Sequence, residues 1–218
     1  MTRNQLLTPM FVHDADTGLV IEGLRRYNLF TAVFFLGRHR RLLAEFVALS
    51  GAGPGWRALD IGCGPGKLVR ALGTAVGPTG VAVGVDPSVT AVEDNRDGVA
   101  YHRYEVGPAQ DLPVSDAEFD VVTCTFVMHH IPEAQRDAAI AEMWRVLRPG
   151  GRLLLADASP SPRIRAAFSL FLGRDPFVDV DIRHYIERVE AAGFLDLSYS
   201  RSRDQTGILT AVKPLVHD

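Results

Sequence analysis

The run Asp60-Ile61-Gly62-Cys63-Gly64-Pro65-Gly66 sets a carboxylate ahead of three alternating glycines, at the end of a short apolar stretch from Arg57 to Ile61. Glycines at 62, 64 and 66 let the backbone approach a ligand closely, and a helix opening after them offers free N–H groups. A dinucleotide loop needs Gly-x-Gly-x-x-Gly, but its third glycine falls on Lys67. A phosphate-cradling loop needs Gly-Lys-Ser/Thr, but Gly66-Lys67 is followed by Leu68. The Asp60 carboxylate repels a pyrophosphate and attracts an ammonium. A second carboxylate, Asp86, ends the next apolar run in Gly84-Val85-Asp86-Pro87, roughly twenty residues on, where folds of this kind grip ribose hydroxyls. A third run ends in Cys124-Thr125-Phe126-Val127-Met128-His129-His130. Either histidine can serve as a base near neutral pH.

An ammonium and a ribose without phosphate describe S-adenosylmethionine, and Asp60 with Asp86 points to that cofactor. The elements that must position these residues alternate. Strands are expected at Arg57–Ile61, Val81–Val85, Tyr101–Val106, Phe119–Phe126 and Arg152–Ala156, with helices at Lys67–Val76, Ser88–Asn95 and Glu133–Leu147 between them. Such alternation implies an α/β fold with a mainly parallel sheet covered on both faces. A helix over Ile182–Ala192 and a closing hairpin from Leu195–Arg201 and Gly207–Lys213 complete this body. Ahead of it, residues 1 to 20 read as a loose leader and Glu22 to about Leu49 as helix, broken in two at Gly37.

The chain has 218 residues, 47% hydrophobic and 22% charged, with 23 basic against 26 acidic side chains. That is the composition of one soluble domain, and its net charge of −3 disfavours a nucleic-acid partner. The two cysteines, Cys63 and Cys124, fit neither a disulfide framework nor a zinc spacing, so a cytoplasmic location is expected and no metal. The longest apolar stretch, Leu29 to Leu36, is interrupted by Thr31 and is too short to span a bilayer.

Ala58-Leu59-Asp60-Ile61-Gly62-Cys63-Gly64-Pro65-Gly66, Val83-Gly84-Val85-Asp86, Phe119-Asp120-Val121-Val122 and Trp144-Arg145-Val146-Leu147-Arg148-Pro149-Gly150-Gly151 resemble the successive motifs of class I S-adenosylmethionine-dependent methyltransferases. Tyr27-Asn28-Leu29-Phe30 and Leu36-Gly37-Arg38-His39-Arg40 extend the resemblance to the ubiquinone/menaquinone-biosynthesis C-methyltransferases and their small-molecule relatives. The resemblance implies a Rossmann-like, doubly wound seven-stranded sheet with its last strand antiparallel, and the cofactor over the carboxyl ends of the first strands. It implies cofactor contacts from Tyr27, Asp60, Gly62, Cys63, Gly64, Gly66, Asp86, Pro87, Ala109, Gln110, Asp111, Cys124 and His129. It also makes S-adenosylhomocysteine the product. One departure stands out: proline occupies position 108 in Gly107-Pro108-Ala109-Gln110-Asp111, where the family shows an acidic or amide residue for the adenine amino group. The Ala109 backbone, with Gln110 or Asp111, is the expected substitute.

Methyl transfer from a sulfonium is an in-line displacement that depends mainly on positioning. A base is needed only when the acceptor must lose a proton, and His129 or His130 is the candidate. Asp157 is expected to be structural or to orient the acceptor. Residues 1–50 are read as leader and helical lid, and residues 51–218 as the cofactor-binding domain. Tyr27, Phe30, Phe34 and Phe35 in the lid, with Phe168, Phe171 and Phe177 in the stretch from Ala158 to Asp181, suit an apolar, aromatic or quinol-like small-molecule acceptor. The basic run Arg38 to Arg41 leaves room for weak membrane-surface contact, and the aromatic residues for a homo-oligomer. Two other readings stay open: a cofactor-binding scaffold without methyl transfer, and a cyclase or eliminase that uses the sulfonium charge.

Overall fold

The computed structural model describes residues 9–34, 38–96, 98–172 and 180–215. Strands β3 (Arg57–Ile61), β4 (Val81–Asp86), β5 (His102–Val106), β6 (Phe119–Thr125), β7 (Leu147–Ala158), β8 (Leu195–Arg201) and β9 (Thr206–Val212) form one sheet, in the order β5-β4-β3-β6-β7-β9-β8. The pairs from β5 through β7 are parallel, while β9 runs antiparallel to both β7 and β8. The last strand is therefore the antiparallel one.

Alternation along the strands sorts the core into two layers. On one face Leu59, Ile61, Val122, Cys124, Leu153 and Leu155 pack beneath α5 (Arg136–Val146) and α7 (Ile186–Ala191). On the other, Ala58, Val121, Leu154 and Ala156 meet Leu42 and Phe46 of α2 (His39–Ser50) and Leu68, Val69, Leu72 and Val76 of α3 (Lys67–Val76). The central strands are apolar throughout because both faces are covered. After β4, Ser88 caps α4 (Val89–Asp94) by accepting from the Ala91 N–H at 3.1 Å.

Residues 11–21 are not a loose leader. They form a hairpin, β1 (Phe11–Asp14) paired antiparallel with β2 (Gly18–Ile21). Asp14 Oδ1 closes the turn by accepting from the N–H groups of Asp16 and Thr17, at 2.9 and 2.8 Å. Gly18 follows at φ +84°, with no room for a Cβ, which would stand 2.0 Å from the His130 carbonyl. Each strand has only four residues, too few for alternation to show. The entry segment is two helices, α1 (Leu24–Phe34) and α2. A helix α6 (Pro162–Leu172) follows β7, where sequence reading assigned no element. Strand β7 starts earlier than Arg152, because Leu147 already pairs with Phe119 and a register shift absorbs the Pro-Gly-Gly segment. The expectations for Phe35, Leu36, Gly37 and Phe177, and for the side chains of Phe30, Phe34, Phe168 and Phe171, lie outside what is described. No helix among the described residues is long and apolar enough to cross a membrane.

Candidate active site

The parallel strands β3, β4 and β6 end side by side, and the glycine loop turns back over them. Gly62 and Cys63 donate their N–H groups to the Val85 carbonyl at 2.8 and 3.1 Å. The Gly64 N–H goes to Asp86 Oδ2 at 2.8 Å, and Asp86 Oδ1 accepts from Ser88 N at the same distance. Asn95 Nδ2 holds the Gly64 carbonyl at 2.6 Å. Any Cβ on Gly62 would press on Val127 at 2.3 Å, so the loop is glycine where the next strand's exit crosses it. These bonds fix a rigid floor.

Two cavities open above the floor. The larger, about 380 Å³, runs from Asp60, Gly62, Cys63 and Gly64 to His129 and Asp157. Its apolar walls come from Phe11, Leu42, Phe46 and Phe126. The smaller, about 60 Å³, lies between Asp86, Pro87 and residues 107–110 on one side and Thr17, Leu19 and Ile21 of the hairpin on the other. Tyr27, Gly62, Thr125, Phe126 and His130 border both. The hairpin is held down by Gln110 Nε2 donating to the Asp16 carbonyl at 2.7 Å and Ser88 Oγ donating to the Ile21 carbonyl at 2.6 Å. Phe11 also meets the Tyr27 ring edge-on, with centroids 5.9 Å apart. Just before α2, Arg38 lies 3.7 Å from Asp204.

Three buried carboxyls dominate the electrostatics. Asp60 is 3% exposed; burial pushes it up to about 7, against the Thr123 hydroxyl, which donates to Oδ1 at 2.8 Å, and with help from the Asp86 charge. Burial also raises Asp86, despite its two backbone donors, and Asp157, despite its bond to His129. Burial and the three aspartates together hold the Tyr27 phenol at about 12, so it stays protonated. A pocket with this many desolvated acids favours a cation.

His129 Nδ1 lies 2.6 Å from Asp157 Oδ2. That carboxylate fixes the tautomer and leaves Nε2 as the free lone pair. Burial, reinforced by the His129 charge, pushes His130 down to about 3. Its ring is wedged between Phe11 and His129, with centroids 5.4 and 3.9 Å away. The two histidines are therefore unequal: His130 is too weak a base to take a proton from a phenol, and His129 has the partner a base needs.

Most residues expected at the cofactor come together. Tyr27, Asp60, Gly62, Cys63, Gly64 and His129 line the larger cavity, and Asp86, Pro87, Ala109 and Gln110 the smaller. Three expected residues lie elsewhere. Gly66 borders neither cavity; it precedes α3, with Asn95 packed where its Cβ would be. Asp111 is exposed, one residue past the turn that faces the cleft. Cys124 is buried in the layer beneath α5 and α7, because its neighbour Thr123 takes the opposite orientation toward Asp60. Phe11, Thr31 and Lys67 line the larger cavity without having been singled out for it, and His39, of the basic run Arg38 to Arg41, lines it too. The His129–Asp157 pair depends on the register that sets Thr125 opposite Ala156 across β6 and β7, which leaves Asp157, still within β7, beside the segment that follows β6.

Residues 58–151 match a family model described as a methyltransferase domain. Over those residues the chain is similar to methyltransferase domains. The chain is 39% identical over 140 residues to a ubiquinone/menaquinone biosynthesis C-methyltransferase of Stutzerimonas stutzeri, covering 62% of this chain and 54% of that protein. It is 35% identical over 139 residues to a demethylmenaquinone methyltransferase of Symbiobacterium thermophilum, covering 61% and 55%. The chain thus spans about half the length of these curated relatives. The domain's fold is shared with a SAM-dependent methyltransferase of Aquifex aeolicus, at a TM-score of 0.59 and 19% identity over 80% of this chain and 88% of that one.

Proposed function

We propose that the chain binds S-adenosylmethionine across both cavities and methylates a small apolar acceptor, aromatic or quinol-like, in the larger one. The observation that carries this is one continuous wall, with buried carboxyls beneath the glycine loop at one end and the His129–Asp157 pair under an apolar lid at the other. The residues fit the cofactor. Asp60, a buried acid that accepts from the Thr123 hydroxyl, suits its ammonium. Asp86 suits the ribose, and the cleft between Pro108–Gln110 and the hairpin suits the adenine. When bound, the cofactor supplies a methyl group on a sulfonium.

The chain's own residues do the rest. Phe11, Phe46 and Phe126 exclude water and hold the acceptor ring against the cofactor side of the cavity. His129 Nε2 takes the acceptor's proton, and Asp157 stabilises the imidazolium that forms. The described part of residues 1–50 acts as the lid over the domain that follows. The relatives that methylate quinone precursors favour a quinol with a phenolic proton to lose. The test is mass spectrometry of demethylated naphthoquinols and simple phenols incubated with trideuteromethyl-labelled cofactor. A product carrying the labelled methyl supports the proposal. An altered product without added mass favours a cyclase or eliminase, and no conversion by a chain that binds the cofactor favours a scaffold.

A further inference from the structure

Lys67 is placed where it costs the apo protein stability. It is the first residue of α3, whose first turn carries no acid, and the positive end of a helix disfavours a cation. It is half-buried in the wall of the larger cavity. Burial, and the charge of Arg70 one turn on, both lower its pKa, and no carboxylate among the described residues is near enough to oppose them. Its hydrogen bond among the described residues is long, Nζ to Thr31 Oγ1 at 3.4 Å. Thr31 accepts it while donating its own proton to the Asn28 carbonyl, at 3.1 Å. His39 borders the same cavity, and the Lys67 charge helps hold its pKa down. The corner formed by Thr31, His39 and Lys67 is thus positive and half-desolvated, and it adjoins the glycine loop. A residue kept at such a cost is one that a ligand repays.

We propose that Lys67, backed by Thr31, is the seat of a carboxylate: the one on the amino-acid end of the cofactor. This rests on the cofactor reading above. Asp60 and the loop from Gly62 to Pro65 line the same cavity as Lys67, so an amino-acid group lying on that loop meets an acid under its ammonium and a lysine beside its carboxylate. Lys67 is here a positioning residue. By fixing the carboxylate it sets where the sulfonium points relative to His129.

The test is calorimetric titration of wild type, Lys67→Gln and Lys67→Arg with S-adenosylhomocysteine and with 5′-methylthioadenosine, which lacks the amino-acid end, together with thermal melts of each ligand-free protein. Losing a charge-assisted contact should weaken S-adenosylhomocysteine about tenfold or more in Lys67→Gln, while 5′-methylthioadenosine stays within about twofold. Lys67→Arg should recover most of the affinity, and ligand-free Lys67→Gln should melt at or above the wild-type temperature. Unchanged S-adenosylhomocysteine affinity in Lys67→Gln, or equal loss of both ligands with a lowered melting temperature, would overturn the proposal. A wild-type chain that binds neither ligand overturns the cofactor reading beneath it, which is a separate and visible failure.

Discussion

Replacing Asp60 by Asn removes a charge that the ligand-free fold carries at a cost. The ordinary value for this carboxyl is 3.8, and burial lifts it to about 7. In the unfolded chain the group ionises near 4. Between about pH 4 and about pH 7 the folded protein therefore holds a proton the unfolded chain has shed, and stability falls as pH rises through that window. The shift corresponds to about 4 kcal/mol once the group is ionised in both states. The amide keeps an oxygen for the Thr123 hydroxyl, which donates to Oδ1 at 2.8 Å, and cannot ionise. For a chain of this size each kcal/mol moves the melting temperature by about 2–4 °C, so Asp60→Asn should melt roughly 8–16 °C above wild type at pH 8.5. At pH 5, about one unit into that window, the difference should shrink to about 1.5 kcal/mol, or roughly 3–6 °C. The assay is thermal denaturation followed by far-UV circular dichroism, without ligand, at both pH values. Equal differences at the two pH values, or a less stable variant at pH 8.5, would refute the argument that Asp60 is a desolvated acid awaiting a cation. The same variant should also bind S-adenosylhomocysteine more weakly than wild type at pH 8.

Three further outcomes follow from the geometry. His129→Ala should lower kcat by about 10²–10³ while leaving S-adenosylhomocysteine affinity nearly unchanged, and Asp157→Asn should fall in the same direction; steady-state kinetics with calorimetry separates the two effects. Gly18→Ala puts a side chain at φ +84° against the His130 carbonyl, so the hairpin should come off its seat, seen as faster limited proteolysis within residues 11–21 and weaker cofactor binding. Arg145 bonds Glu142, Asp116 and the carbonyls of Leu112 and Val114, and Arg145→Met should cost about 2–4 kcal/mol in a urea melt with activity retained at low temperature.

The strand and helix alternation was legible because the buried parallel strands are apolar runs with clear breaks, and Asp60 and Asp86 were legible because they end two of them. What escaped is what depends on distance or on parity. The hairpin reads as loop because neither strand is long enough to alternate, and its meaning lies in bonds to Gln110 and Ser88, far along the chain. Cys124 and Thr123 are adjacent, and which of them faces the core is settled by the pleat and not by residue type. His129 and His130 look equivalent in sequence, yet one finds Asp157 and the other is packed against Phe11. Lys67 served only to exclude a dinucleotide loop, since its place in the cavity wall depends on α1 folding over α3.

The most direct test of the account is calorimetric titration of the wild-type chain with S-adenosylmethionine and S-adenosylhomocysteine, with NADH as the control. The account predicts one site for each of the first two, with Kd of about 1–10 μM, near −8 kcal/mol, and no heat with NADH. Absence of binding to both by a chain shown to be folded would contradict the assignment of the two cavities, and with it the methyl-transfer proposal.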